Sequence, residues 1–174
     1  MTGKLIAGFI VVSAIVAAAA MYYLQVYAFY DEVNAPQDGV VMTTYGGSEQ
    51  KIITKDFQGI DADSSPIRFR ACFNTPHSLA MLSETFEIYD TAEPLTAPGW
   101  FDCFDAKGIA DDLSSGQALA FLSVKNISFG VDRVIAVASD GRAYAWNQLN
   151  NCGEQAYDGS AVGEVCPTRE LGAE

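Results

Sequence analysis

The stretch Asp132-Arg-Val-Ile-Ala-Val-Ala-Ser-Asp140-Gly141-Arg-Ala-Tyr-Ala-Trp146 decides the fold class. β-Branched and aromatic residues flank Asp140-Gly141, a pair that accepts positive φ at a tight turn, so the segment reads as a β-hairpin. Runs of the same character lie upstream. Residues 39–45 are β-branched and aromatic, stop at Gly46-Gly47, and have a hairpin partner in residues 51–55. Ile67-Arg-Phe-Arg-Ala-Cys-Phe73 and Thr85-Phe-Glu-Ile-Tyr89 alternate with a period of two, the signature of a strand with one buried face. Residues 118–124 are apolar throughout, and periodicity alone leaves strand and helix open there.

Helical signals are few. One helix is expected over residues 77–83, started by Pro76 with Thr75 as cap. A second is capped by Asp105, runs to about Ser115 and ends at Gly116. Residues 61–66 read as a turn and 90–99 as a loop. These pieces predict an α+β domain, mainly antiparallel β with one or two short helices, over residues 39–174.

The N-terminus is of another kind. Residues 5–30 contain no Asp, Glu, Lys, Arg or His, a run somewhat longer than the roughly 20 residues that cross a bilayer core. Residues 1–20 also fit a secretory signal, with Lys4, an apolar core and a small-residue end at Ala17 to Ala20. A retained anchor is the expectation, because the apolar run continues past Ala20 and Tyr22, Tyr23, Tyr27, Phe29 and Tyr30 form an interfacial aromatic belt. Residues 1–4 are then a cytoplasmic tip, 5–30 the transmembrane helix in contact with lipid, and 31–38 a polar juxtamembrane linker. Lys4 on one flank and Asp31, Glu32 and Asp38 on the other place the amino terminus inside. Ala14 and Ala18 lie four apart on one helical face, spacing that suits contact with a second membrane helix.

Beyond the anchor lie all 22 acidic residues and all but one of the 10 basic ones, giving 9 − 22 = −13 formal charges. That balance argues against a nucleic-acid partner. Four cysteines, Cys72, Cys103, Cys152 and Cys166, all follow the anchor, and an even count in an exported domain reads as two disulfides. Three connectivities are possible, and the favoured one is 72–103 with 152–166, since the latter pins a Gly-, Ser- and acid-rich tail. Closing that shorter loop is worth about 3 kcal/mol on chain entropy.

No catalytic set stands out, so no enzyme is expected. His77 is the single histidine, no Gly-rich phosphate loop is present, and Asp61/Asp63, Asp102/Asp105 and Asp111/Asp112 are ordinary acidic pairs. Neither a metal nor a cofactor is implied. Arg68 and Arg70 on one strand face, with Trp100 nearby in an aromatic set, are the candidate ligand or partner contacts; pairing of the arginines with the domain's acids is the plainer expectation.

The segments Arg68-Phe-Arg-Ala-Cys-Phe73, Ala97-Pro-Gly-Trp-Phe-Asp-Cys-Phe-Asp-Ala106, Gly130-Val-Asp-Arg-Val-Ile-Ala-Val137, Asp140-Gly-Arg142 and Trp146-Asn-Gln-Leu149 resemble an uncharacterised family of single-pass membrane proteins from alphaproteobacteria of the Rhodobacter and Paracoccus type. The resemblance spans most of the chain, and Ala97 to Ala106 is its most specific part. It implies an inner membrane and an oxidising periplasm, and carries no functional residue over. With the features above, it favours a non-catalytic accessory subunit of a larger membrane complex, partnered by an integral membrane protein, with a respiratory-chain complex as best candidate. The alternative is a free-standing periplasmic ligand-binding or assembly-factor domain.

Overall fold

A computed structural model describes residues 2–167 of the chain. Met1 and residues 168–174, assigned above to the N-terminal tip and to the domain, lie outside the described residues.

The chain begins with helix α1, Thr2–Tyr23. The apolar span, residues 3–28, has a mean hydropathy of 2.4 over its most apolar stretch, none of which is buried in the rest of the protein. A helix apolar on every side and uncovered by its own domain suits a lipid environment. Ser13 does not disturb it, because its hydroxyl donates to the Ile10 carbonyl at 3.0 Å.

Eight strands follow among the described residues. These are β1 (Asp31–Val33), β2 (Val41–Thr43), β3 (Glu49–Lys51), β4 (Lys55–Asp61), β5 (Arg70–Asn74), β6 (Ala118–Ser128), β7 (Val131–Ala138) and β8 (Arg142–Leu149). Six of them form one antiparallel sheet in the order β1-β4-β5-β8-β7-β6, and β2-β3 form a separate hairpin. The hairpin at Asp140-Gly141 is therefore the centre of the sheet, pairing Val131 with Leu149 at one end and Val137 with Ala143 at the other. Gly141 has φ 90°, and a Cβ there would stand 2.8 Å from the Thr75 carbonyl oxygen, so this turn needs glycine for conformation and for space.

Each face of the sheet is covered. On one side lie β2-β3 and helix α2 (Leu79–Thr85), whose Met42, Ile52, Leu82 and Phe86 pack on Phe69, Phe73, Phe121, Ile135 and Val137. On the other lie residues 89–104 and helix α3 (Ala106–Ser115), whose Phe101, Phe104 and Ile109 pack on Ile60, Cys72, Val134, Tyr144 and Trp146. Trp146 and Phe121 are fully buried, and truncating either to alanine would cost about 3–5 kcal/mol. The aromatics Phe101, Phe104, Tyr144 and Trp146 are buried in the core.

Four local expectations change. Residues 31–38 do not start as a free linker, because Asp31 to Val33 pair with Asp61 to Gly59. That edge strand holds by backbone bonds, so its polar side chains gave no strand signal. Helix α2 starts later than Pro76: Ser78 is its cap, its hydroxyl accepting the Met81 N–H. Thr75 instead donates its amide to Gly141 and extends the strand edge. Residues 85–89 contribute only two isolated bridges, Thr44 with Phe86 and Ile88 with Phe121. Arg68 precedes β5, its amide bonded back to Ser65 in a turn, so Arg68 and Arg70 do not share a strand. The open choice at residues 118–124 is settled as strand.

Candidate functional site at the membrane junction

Helix α1 widens into a π-helical turn, Leu24–Ala28, before the domain begins. Helix ends leave carbonyls without intrahelical donors. Trp100 serves one of them: its indole N–H donates to the Val26 carbonyl at 2.6 Å. Tyr27 stacks on the Trp100 ring with centroids 6.3 Å apart and planes 20° apart. Tyr30 and Phe101 each meet that ring edge-on, at 6.2 and 6.3 Å. Arg68 lies 5.5 Å from the Tyr30 ring centroid and reaches its hydroxyl at 3.5 Å.

The segment carrying Trp100 is itself fixed to the sheet. The Phe101 amide donates to Pro98 and the Phe104 amide to Phe101, which folds 98–104 into consecutive turns. Cys103 is joined to Cys72 of β5, with Cα atoms 6.3 Å apart. Arg70, also of β5, spends its guanidinium on four backbone carbonyls: Leu95 and Ile67 at 2.8 Å, Phe69 at 2.7 Å and Thr96 at 3.3 Å. Burial pushes its pKa down to about 10, while Tyr30 and Asp61 oppose that fall, so the group stays cationic at neutral pH. Arg70 therefore has its partners, and they are carbonyls rather than the expected acids. A continuous set of attachments runs from the end of the apolar helix through Trp100 and the Cys72–Cys103 bond into the sheet. Beside it opens a cavity of about 380 Å³ walled by Glu32, Val33, Phe57, Trp100, Phe101 and Asp102, among others.

A second cluster gathers at the far end of β6-β7-β8. Asp132 is fully buried and accepts from the Asn126 amide (2.8 Å), Asn150 Nδ2 (2.7 Å) and the Tyr89 hydroxyl (3.1 Å), and it pairs with Lys125 (3.1 Å). Lys125 also meets Glu164 at 2.7 Å, which ties the C-terminal tail to the sheet. Burial, then the Asp132 charge and hydrogen bond, push the Tyr89 hydroxyl up to about 12. Burial works against the Lys125 ammonium, and its bonds to Glu164 and Asp132 outweigh that and raise it. The tail is closed by Cys152–Cys166, Cα atoms 4.8 Å apart. Every charge in this cluster has its partner, as a structural pin requires.

The remaining candidates stay apart. Ala14 and Ala18 are exposed on α1 and touch no part of the domain. His77 accepts the Ile53 amide at Nε2, 3.3 Å. Asp63, Asp102, Asp105 and Asp111 face solvent, and among the described residues no group of three His, Cys, Asp or Glu is placed to hold a metal.

Residues 40–167 match the model of DUF6446, a family of unknown function. The chain belongs to the DUF6446 family. The match contains Arg68, Arg70, Trp100 and all four cysteines, and starts after the anchor and β1. No curated protein and no solved structure matches the chain. The site residues that the sequence concealed are Tyr27 and Tyr30 as partners of Trp100, and Asp132 as a buried hub. The tyrosines were visible only as an aromatic belt, and nothing local to Asp132 distinguishes it from 21 other acids.

Proposed function

We propose that this DUF6446 protein is a single-pass inner-membrane protein, amino terminus cytoplasmic and domain periplasmic, that serves as a non-catalytic accessory subunit of a larger membrane complex. The observation that carries this reading is the Trp100 junction, where the anchor's end is bonded and stacked onto the domain. A domain that only needs tethering has no use for a fixed attitude to the bilayer; one that fits between fixed neighbours does. The exposed anchor, with Ala14 and Ala18 on one face, leaves a surface for an integral-membrane partner. The two disulfides suit an oxidising compartment. A respiratory-chain complex is the first candidate, on the strength of the sequence resemblance alone. The free-standing ligand-binding alternative called on Arg68 and Arg70, and it loses the second, since Arg70 is saturated by carbonyls.

The test is purification of tagged full-length protein in mild detergent with quantitative mass spectrometry. A stoichiometric integral-membrane partner, lost when Ala14 and Ala18 are both changed to Leu, is the expected result. Recovery of the protein alone, at every detergent strength, overturns the subunit reading.

A further inference from the structure

The sheet face under β2-β3, opposite the Trp100 side, carries an arginine whose outer nitrogens are left to solvent. Arg133 of β7 stands across from Asn147 of β8, and its Nε donates to Asn147 Oδ1 at 2.9 Å. Its guanidinium carbon lies 3.8 Å from the Phe69 ring centroid. Among the described residues its two terminal nitrogens take no protein acceptor, and no carboxylate lies within ion-pair distance. Burial pushes this guanidinium below its ordinary range, with only the more distant Asp61 opposing. The other inward arginine is treated differently: Arg70 has four carbonyls. Those two nitrogens are not buried and keep contact with water, while the Asn147 bond and the Phe69 ring hold the guanidinium in one orientation for an incoming anion.

Arg133 lines an apolar cavity of about 210 Å³ whose wall includes Val40, Phe57, Phe69, Phe73, Ile135 and Ala145. An apolar cavity of about 150 Å³ is enough for benzene, so this one has room for a single ring or a short alkyl chain. Two exposed acids, Asp38 and Glu49, also border it, the first 3.7 Å from Lys51. They disfavour a doubly charged head such as a phosphate monoester and leave a singly charged one as the better match.

We propose that this cavity binds a small amphiphilic monocarboxylate, an aryl or short alkyl acid, with its carboxylate on the free nitrogens of Arg133 and its apolar part among Phe57, Phe69 and Phe73. The bidentate geometry of guanidinium and carboxylate supplies the specificity, and the phenyl walls supply the hydrophobic share. The site lies on the sheet face opposite Trp100, shares only Phe57 with the cavity beside the junction, and does not depend on the subunit reading.

The test uses the full chain in phosphatidylcholine nanodiscs and fluorine NMR of two water-soluble probes, 4-fluorophenylacetate and its uncharged isostere 4-fluorophenylacetamide. The acid is expected to bind at least about tenfold tighter than the amide, the usual worth of a charge-assisted hydrogen bond. Arg133→Met removes that preference while leaving weak binding of both, and Val41→Phe, which narrows the cavity with Arg133 intact, removes both. Equal affinities for acid and amide in the unaltered protein, or no saturable binding of the acid at millimolar concentration, overturn the proposal without reference to either variant. A preference for the acid that survives in Arg133→Met overturns it as well.

Discussion

Replacing Trp100 by Ala should uncouple the anchor from the domain without unfolding the domain. The substitution removes the bond to the Val26 carbonyl and the ring contacts with Tyr27, Tyr30 and Phe101. A hydrogen bond contributes about 1 kcal/mol net, and an aromatic pair about 0.5–1.5 kcal/mol. Only the hydrogen bond and the Tyr27 and Tyr30 ring contacts join helix and domain, so the junction should lose roughly 2–4 kcal/mol. That corresponds to a rise of roughly 30- to several-hundred-fold in local opening. Hydrogen exchange of the full chain in nanodiscs reads this directly, because amide protection tracks the free energy of local opening. Amides of residues 24–33 should lose protection by that factor, while those of β7 and β8 keep theirs. Trp100→Phe, which retains a ring but no N–H, should lose only about fivefold. The reasoning fails if Trp100→Ala leaves residues 24–33 within about threefold of the parent protein, since even the lower bound exceeds that.

Two further outcomes follow from the same contacts. Changing Cys72 and Cys103 together to Ala should lower the stability of the sheet by about 3–4 kcal/mol, whereas the Cys152, Cys166 pair should loosen the tail and leave the main thermal midpoint nearly unmoved; near-ultraviolet dichroism on heating separates the two, and equal effects would contradict the assignment of the second bond to the tail. Tyr89 has a folded-state pKa of about 12 against an ordinary 10, so its contribution is fully present below pH 10 and is lost as the pH rises toward 12, about 1–2 kcal/mol once its partial exposure is allowed for. Tyr89→Phe should flatten the alkaline fall in stability over that window; Tyr144 and Lys125, raised in the same sense, leave a residual slope, which Arg70, lowered to about 10, opposes.

Elements with a complete local signal were legible in the sequence. The central hairpin announced itself through Asp140-Gly141 between β-branched and aromatic residues, and α3 through a cap at each end, Asp105 and Gly116. Where two signals competed, the local one lost to a tertiary contact. Thr75-Pro76 looks like a helix start, yet Thr75 is claimed by the turn at Gly141 and the helix waits for Ser78. Strand β1 was illegible because an exposed edge needs no apolar alternation. Arg68 and Arg70 were recognised as charges that must be answered, but their partners, Tyr30 and the carbonyls around residues 67–69 and 95–96, are set by how distant segments cross. Arg133 looked like one more strand residue; only the cross-strand neighbour and the missing carboxylate distinguish it.

Strand pairing that begins at Asp31, one residue beyond Tyr30, removes any slack between bilayer and fold. Eight freely jointed residues would let the domain wander by roughly 15 Å, in height as well as sideways. Without them the domain keeps one altitude. Under the proposed membrane reading, a partner must then present its contact surface within about one domain diameter of the lipid. Under the same reading, the three residues of β1 set the height at which a neighbour can be met.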